Sequence, residues 1–113
     1  MKTSPLIIGI IISAGLLIIA CEKQLPKVKA KVALAQSALL VSNLDDFTWP
    51  SATIYINDGD EAVYDHPVAP NETIRIPLVA FAYNDKRFNP IERKVIRAEV
   101  AVKGRSDAEF SFQ

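Results

Sequence analysis

The chemistry open to this chain sits in a few short stretches. Cys21 is the single cysteine, placed by LLIIACEK (Leu16 to Lys23) between a long apolar run and a charged segment; its thiol is open to modification, with no second cysteine to pair with. Asn57, Asp58, Asp60 and Glu61 gather oxygen donors in one tight loop, the ligand chemistry of calcium. His66 is the one histidine, so a nucleophilic triad would have to use it. Phe47, Trp49 and Tyr55, with Tyr64 and Tyr83 beyond them, supply flat rings, several with polar edges, of the kind that stack on sugars or anchor protein contacts.

Most of these signals weaken against their surroundings. The acidic loop does not follow the ligand spacing of an EF-hand, so an ordinary solvated turn is expected there and no metal ion. His66 lies in a proline-flanked loop, and no serine has a nucleophile-elbow context. A carboxylate pair for glycoside hydrolysis needs an enclosed cleft, for which a folded part of roughly ninety residues leaves little room. The expectation is a non-enzyme with no catalytic residues and no cofactor. Trp49 has two readings, a ring that plugs the top of the core and a ligand platform shared with Phe47 and Tyr55. Single tryptophans commonly serve as plugs; Phe47, Trp49 and Tyr55 stand as the candidate ligand-binding residues.

The elements that position these residues begin with the leader. Lys2 gives a basic start, Leu6 to Ala20 runs without a charge, and small Ala20 precedes Cys21, which is the layout of a secretory signal peptide. A permanent span needs roughly 20 apolar residues, so this run is short for one. Ile18-Ile19-Ala20-Cys21 resembles the lipobox of bacterial lipoproteins, with isoleucine where leucine is commoner. The resemblance implies that Cys21 receives a thioether-linked diacylglycerol and becomes the first mature residue. Each buried methylene adds about 0.8 kcal/mol, and two or three chains anchor stably where one does not. In the sorting rule of enteric lipoproteins an aspartate after the cysteine favours the inner membrane; Glu22 departs from it and tilts toward the outer. The expected division is a signal peptide at 1–20, the lipidated cysteine and a short tether at 21–26, and one domain at 27–113.

In that domain Lys27, Lys29 and Lys31 alternate with Val28, Ala30, Val32 and Leu34, the period of a half-buried strand with its lysines in water. A helix over 27–41 is the rival, with Val28, Val32, Ala35 and Leu39 on one side. Ala52 to Asn57 alternates and stops at Asn57-Asp58-Gly59, and Ala62 to Asp65 reads as a return strand. In Glu72 to Tyr83 the apolar parity slips by one residue at Pro77, as at a bulge or where a strand leaves one sheet for the other. Lys94 to Lys103 predicts a strand with Ile96, Ala98, Val100 and Val102 inward, and Phe110 and Phe112 share a face of the last one. Short strands at near-regular spacing predict a small antiparallel β-sandwich, immunoglobulin-like. Its loops would gather Asp45, Asp46, Trp49, His66 and Asn71 at one end, and Asp58, Asp60, Glu61, Asp85, Lys86 and Arg87 at the other.

The order DDFTWPSATIYIN, APNETIRIPLVAF, KRFNP and KVIRAEV resembles small uncharacterised bacterial secreted or lipoprotein β-domains, over about half of the chain. Glycine often stands in them at the position of Asn71, which implies a turn with positive φ. The resemblance supports the fold and brings no catalytic residues. Acidic and basic residues balance, so no nucleic-acid footprint is expected. The expected partners are a membrane, through lipidated Cys21, and an envelope protein or glycan, with the protein in the cell envelope at the outer membrane or the periplasmic face of the inner one. The expected role is a non-enzymatic binding or assembly module, with a carbohydrate-binding module using Trp49 and a structural subunit of an envelope complex as alternatives. Lys86-Arg87 and Arg93-Lys94-Arg97 read as solvated positions offsetting Asp58, Asp60 and Glu61.

Overall fold

The computed structural model describes residues 25–112, so the expected signal peptide and Cys21 lie outside the described residues. β1 (Ala30–Ala35) and β2 (Ala38–Asn43) form a hairpin whose turn residue Ser37 takes φ 61°. The alternating lysines therefore specify a strand, and the helix over 27–41 does not form. Lys27, Lys29 and Lys31 are exposed, as the alternation requires. Leu34 is 41% exposed although it stands opposite buried Leu39, because β1 is the edge strand of its sheet and one side of the residue is left open.

β2 pairs on its other side with β5 (Thr73–Pro77), setting Leu39 opposite Ile76 and Val41 opposite Ile74. That completes a sheet of order β1-β2-β5. The second sheet holds β3 (Ala52–Ile56), β4 (Asp60–Tyr64), β6 (Ala82–Tyr83), β7 (Lys86–Arg87), β8 (Arg97–Ala101) and β9 (Ala108–Ser111), in the order β7-β6-β4-β3-β8-β9. All strand pairs are antiparallel. The distribution β1-β2-β5 against β4-β3-β8-β9 is that of strands A-B-E against C′-C-F-G, an immunoglobulin-like sandwich.

The parity slip at Pro77 has its cause in this topology. β5 belongs to the three-stranded sheet and β6 to the other, and the chain crosses between them through Pro77 and a 3₁₀ turn at Leu78–Ala80 that buries Leu78. Alternation also fails before β8. Val95 is 4% exposed and Ile96 48%, the reverse of the expected inward Ile96. The strand starts only at Arg97; before it the backbone N–H groups of Ile96 and Arg97 are held by Asn57 Oδ1 at 2.8 and 3.3 Å, which turns this segment out of the strand's phase.

The core lies between the sheets. Leu39, Val41, Ile74 and Ile76 meet Ile54, Ile56, Ala62, Ala98 and Val100, and Trp49, Val68, Phe81 and Phe88 belong to the same cluster. Phe110 and Phe112 pack against it half-buried. Loops alternate between the two ends, as the sequence predicts. Residues 44–51, 65–72 and 102–107 share one end, and the turns at 57–59, 78–80 and 84–85 share the other.

Candidate functional site

Trp49 is 0% exposed, which corrects its assignment as a ligand platform: a ring must be reachable to stack on a sugar. Its backbone pairs with Val68 in both directions, at 2.9 and 2.8 Å, and its Nε1–H donates to Asp45 Oδ2 at 2.9 Å. Asp45 is 6% exposed and also accepts the Lys29 N–H at 3.3 Å. Asn43 follows Leu39 and Val41 in the inward phase of β2 and is fully buried. It fits there because its Nδ2 donates to the carbonyls of Phe47 and Val68, both at 2.9 Å, and its Oδ1 accepts the Asp45 N–H at 2.8 Å. This network pins the loop after β2 to the loop after β4. The sequence signal for this network is an asparagine in the buried phase followed two residues later by aspartate, an Asx-turn pattern.

Phe47 is half-buried at the same end, with the Arg105 guanidinium 4.5 Å from its ring centroid. Tyr55 is half-buried on the outer face of β3, next to the turn at the opposite end. The three candidate binding residues therefore do not share a surface. His66 contacts Tyr64 edge-on, ring centroids 5.5 Å apart.

The acidic turn is occupied by the protein's own groups. Asn57 and Asp58 take φ 50° and 67°, the positive values of a tight hairpin turn. Asn57 Nδ2 donates to the Lys94 carbonyl at 2.8 Å, Asp58 pairs with Arg97 at 3.0 Å, and Asp60 pairs with Arg93 at 2.9 Å. Among the described residues no three of His, Cys, Asp and Glu stand close enough to hold a metal ion. On the outer face Tyr55, Glu99 and Glu109 lie side by side across β3, β8 and β9. Like charges placed directly opposite repel. A hydrogen bond with Asp107, then burial, then the charges of Asp107, Glu109 and Asp58 push the Glu99 carboxyl up to about 7.

A different set of residues forms a cavity of about 550 Å³ beside the β6–β7 hairpin. Asn84 and Asp85 take φ 49° and 66°, a type I′ turn, so Tyr83 and Lys86 face each other across the hairpin. Tyr83 is 57% exposed. Arg87 is steadied by its Nη1, which donates to the Val79 carbonyl at 3.0 Å. Asn89 caps the tight turn before Arg93, its carbonyl accepting the Arg93 N–H at 3.0 Å. Arg93 is held twice, by the salt bridge to Asp60, whose side chain is 4% exposed, and by the buried Phe88 ring, 4.8 Å from its guanidinium carbon. The remaining acid of the cavity, Glu92, accepts from Asn89 Nδ2 at 3.0 Å. Arg93 and Arg97 do offset Asp60 and Asp58, as the sequence suggests, yet Lys86, Arg87 and Arg93 also converge on one hollow. The missed signal was Asn84-Asp85, a turn dipeptide that makes its two flanking residues cross-strand neighbours. Comparison with protein-family models, with characterised proteins and with solved structures finds no match for the chain.

Proposed function

We propose that the protein is an exported lipoprotein, held in the cell envelope by lipid on Cys21, whose sandwich acts as a non-enzymatic binding or assembly module. The observation that carries this reading is the leader itself: Lys2, an uncharged run from Leu6, and Ala20-Cys21 immediately before a charged segment.

The way the chain enters the sandwich supports it. The Pro26 carbonyl accepts the Ser106 N–H at 2.9 Å, and the Val28 N–H donates to the Ser106 carbonyl at 2.9 Å. The domain is therefore joined at the end that carries the Trp49 network. An extended chain from Cys21 to Pro26 reaches at most about 18 Å. With lipid on Cys21 that end faces the membrane, and the cavity beside the β6–β7 hairpin points away from it. Exposed Lys27, Lys29 and Lys31 then lie on the near side, where each adds about 1 kcal/mol of attraction to an anionic surface. A carbohydrate module built on Trp49 is not part of the proposal, because that ring is buried.

The test is fractionation of cells making the wild type and Cys21→Ser. The wild type is expected in the membrane fraction and the variant uncleaved or released. A Cys21→Ser protein processed and retained like the wild type would defeat the anchor.

A further inference from the structure

We propose that the cavity between the β6–β7 hairpin and Arg93 is a binding site for an acidic sugar, a pyranose ring bearing a carboxylate, within an envelope glycan. The assignment rests on the binding-module reading above and names its ligand class. Its volume of about 550 Å³ lies within the range of small-ligand sites.

The lining carries three cations and two carboxylates, which leaves it one charge positive. Asp60 is paired with Arg93, and Glu92 accepts from the neutral amide of Asn89. Among the described residues no carboxylate comes within salt-bridge distance of Lys86 or Arg87. Two cations thus line the hollow with no salt-bridge partner among the described residues, one of them, Arg87, already steadied by a backbone carbonyl. An anion that binds there meets one cation, Arg87, already held in place, and guanidinium and ammonium groups both pair with a carboxylate.

The ring of Tyr83 selects for more than charge. It is over half exposed and passes close over Gly59, where a Cβ would meet Tyr83 Cδ1 at 3.4 Å. An exposed aromatic face beside a cationic hollow offers stacking for a flat apolar sugar face and pairing for its acid group. A lipid headgroup of the anchoring membrane fits less well, since the tether puts this cavity at the far end of the sandwich. A polymer beyond the membrane surface is within its reach.

The experiment is calorimetric titration of the full-length protein in neutral detergent with a uronic-acid tetrasaccharide, its methyl ester and inorganic phosphate. The uronate is expected to bind saturably and to weaken as salt rises. Lys86→Ala and Arg87→Ala are each expected to weaken it about tenfold or more, the worth of one lost charge-assisted hydrogen bond. Tyr83→Ala should weaken it with an unchanged salt dependence. The ester and phosphate should bind at least about tenfold more weakly than the uronate, the same margin. All three side chains are exposed, so the variants should keep the wild-type melting midpoint, and Lys31→Ala at the opposite end serves as the control. No saturable binding of the uronate, equal binding by the Lys86→Ala/Arg87→Ala double variant, or phosphate binding as tightly as the sugar would each overturn the assignment. Failure here with lipid present on Cys21 of the wild type sinks the sugar site alone; a wild type without lipid on Cys21 sinks the anchored-module reading.

Discussion

Replacing Trp49 by phenylalanine tests the buried network with a change small enough to keep the fold. The variant removes the Nε1–H that donates to Asp45 Oδ2 at 2.9 Å. Asp45 is 6% exposed, so water does not replace the lost donor, and the other donor, the Lys29 N–H, is long at 3.3 Å. A hydrogen bond to a charged group contributes about 1.5–3 kcal/mol, and the smaller ring leaves a cavity costing roughly 1 kcal/mol more. Trp49→Phe should therefore destabilise by about 3 kcal/mol, or on the order of 12–24 °C in melting midpoint for a domain of this size. Asp45→Asn removes the charge that the indole serves, so the two changes together should cost less than their sum, by about 1–2 kcal/mol. Urea unfolding of the four proteins, read by circular dichroism at pH 7, measures that coupling. A coupling energy below about 0.5 kcal/mol, the level of independent sites, would refute the argument that the indole N–H satisfies a buried carboxylate.

The carboxylates on the outer face predict an inverted pH dependence. Because the folded-state pKa of Glu99 is raised from 4.5 to about 7, the folded protein holds this proton more tightly than the unfolded chain does. This group therefore favours folding below pH 4.5 and loses that contribution as pH rises to about 7. Glu99→Gln should raise the urea midpoint relative to wild type at pH 8 and lose that advantage at pH 4; an equal gain at both would exclude titration as the cause. Asn71 takes φ 69°, and its N–H donates to the Asn43 carbonyl at 2.7 Å. Asn71→Gly should leave the melting midpoint nearly unchanged, whereas β-branched Asn71→Val should cost about 1–2 kcal/mol, read in the same unfolding assay. The reversal at Val95 and Ile96 is checked by Ile96→Ser, expected within about 0.5 kcal/mol of wild type, against Val95→Ala, expected to cost about 1–2 kcal/mol.

Strand existence and sheet membership were readable where periodicity is simple. Ala52–Ile56 alternates because one face of β3 is core and the other is not, and that difference is written directly into residue type. The break at Pro77 was legible for a related reason, since a chain that changes sheets must change which parity faces inward. Ile96 was misread because its phase is set by a contact from Asn57, 39 residues away in the chain, and a local pattern carries no such information. Leu34 was misread because β1 is an edge strand, and alternation alone does not tell an edge from a centre. Trp49 was legible as a core plug, but its partners were not, since an inward asparagine at position 43 looks like the end of a strand until its three hydrogen bonds are seen. The basic cavity was the least readable feature. It joins residues 60, 83, 86, 87, 89, 92 and 93, which come together only through β4, the β6–β7 hairpin and the turn after Asn89.

The anchor is the central claim, and the intact mass of the protein extracted from the membrane fraction tests it most directly. The account predicts a chain that begins at Cys21 and carries the added mass of a diacylglycerol. A chain that retains residues 1–20 with an unmodified thiol, or one cut at another position without lipid, would contradict it.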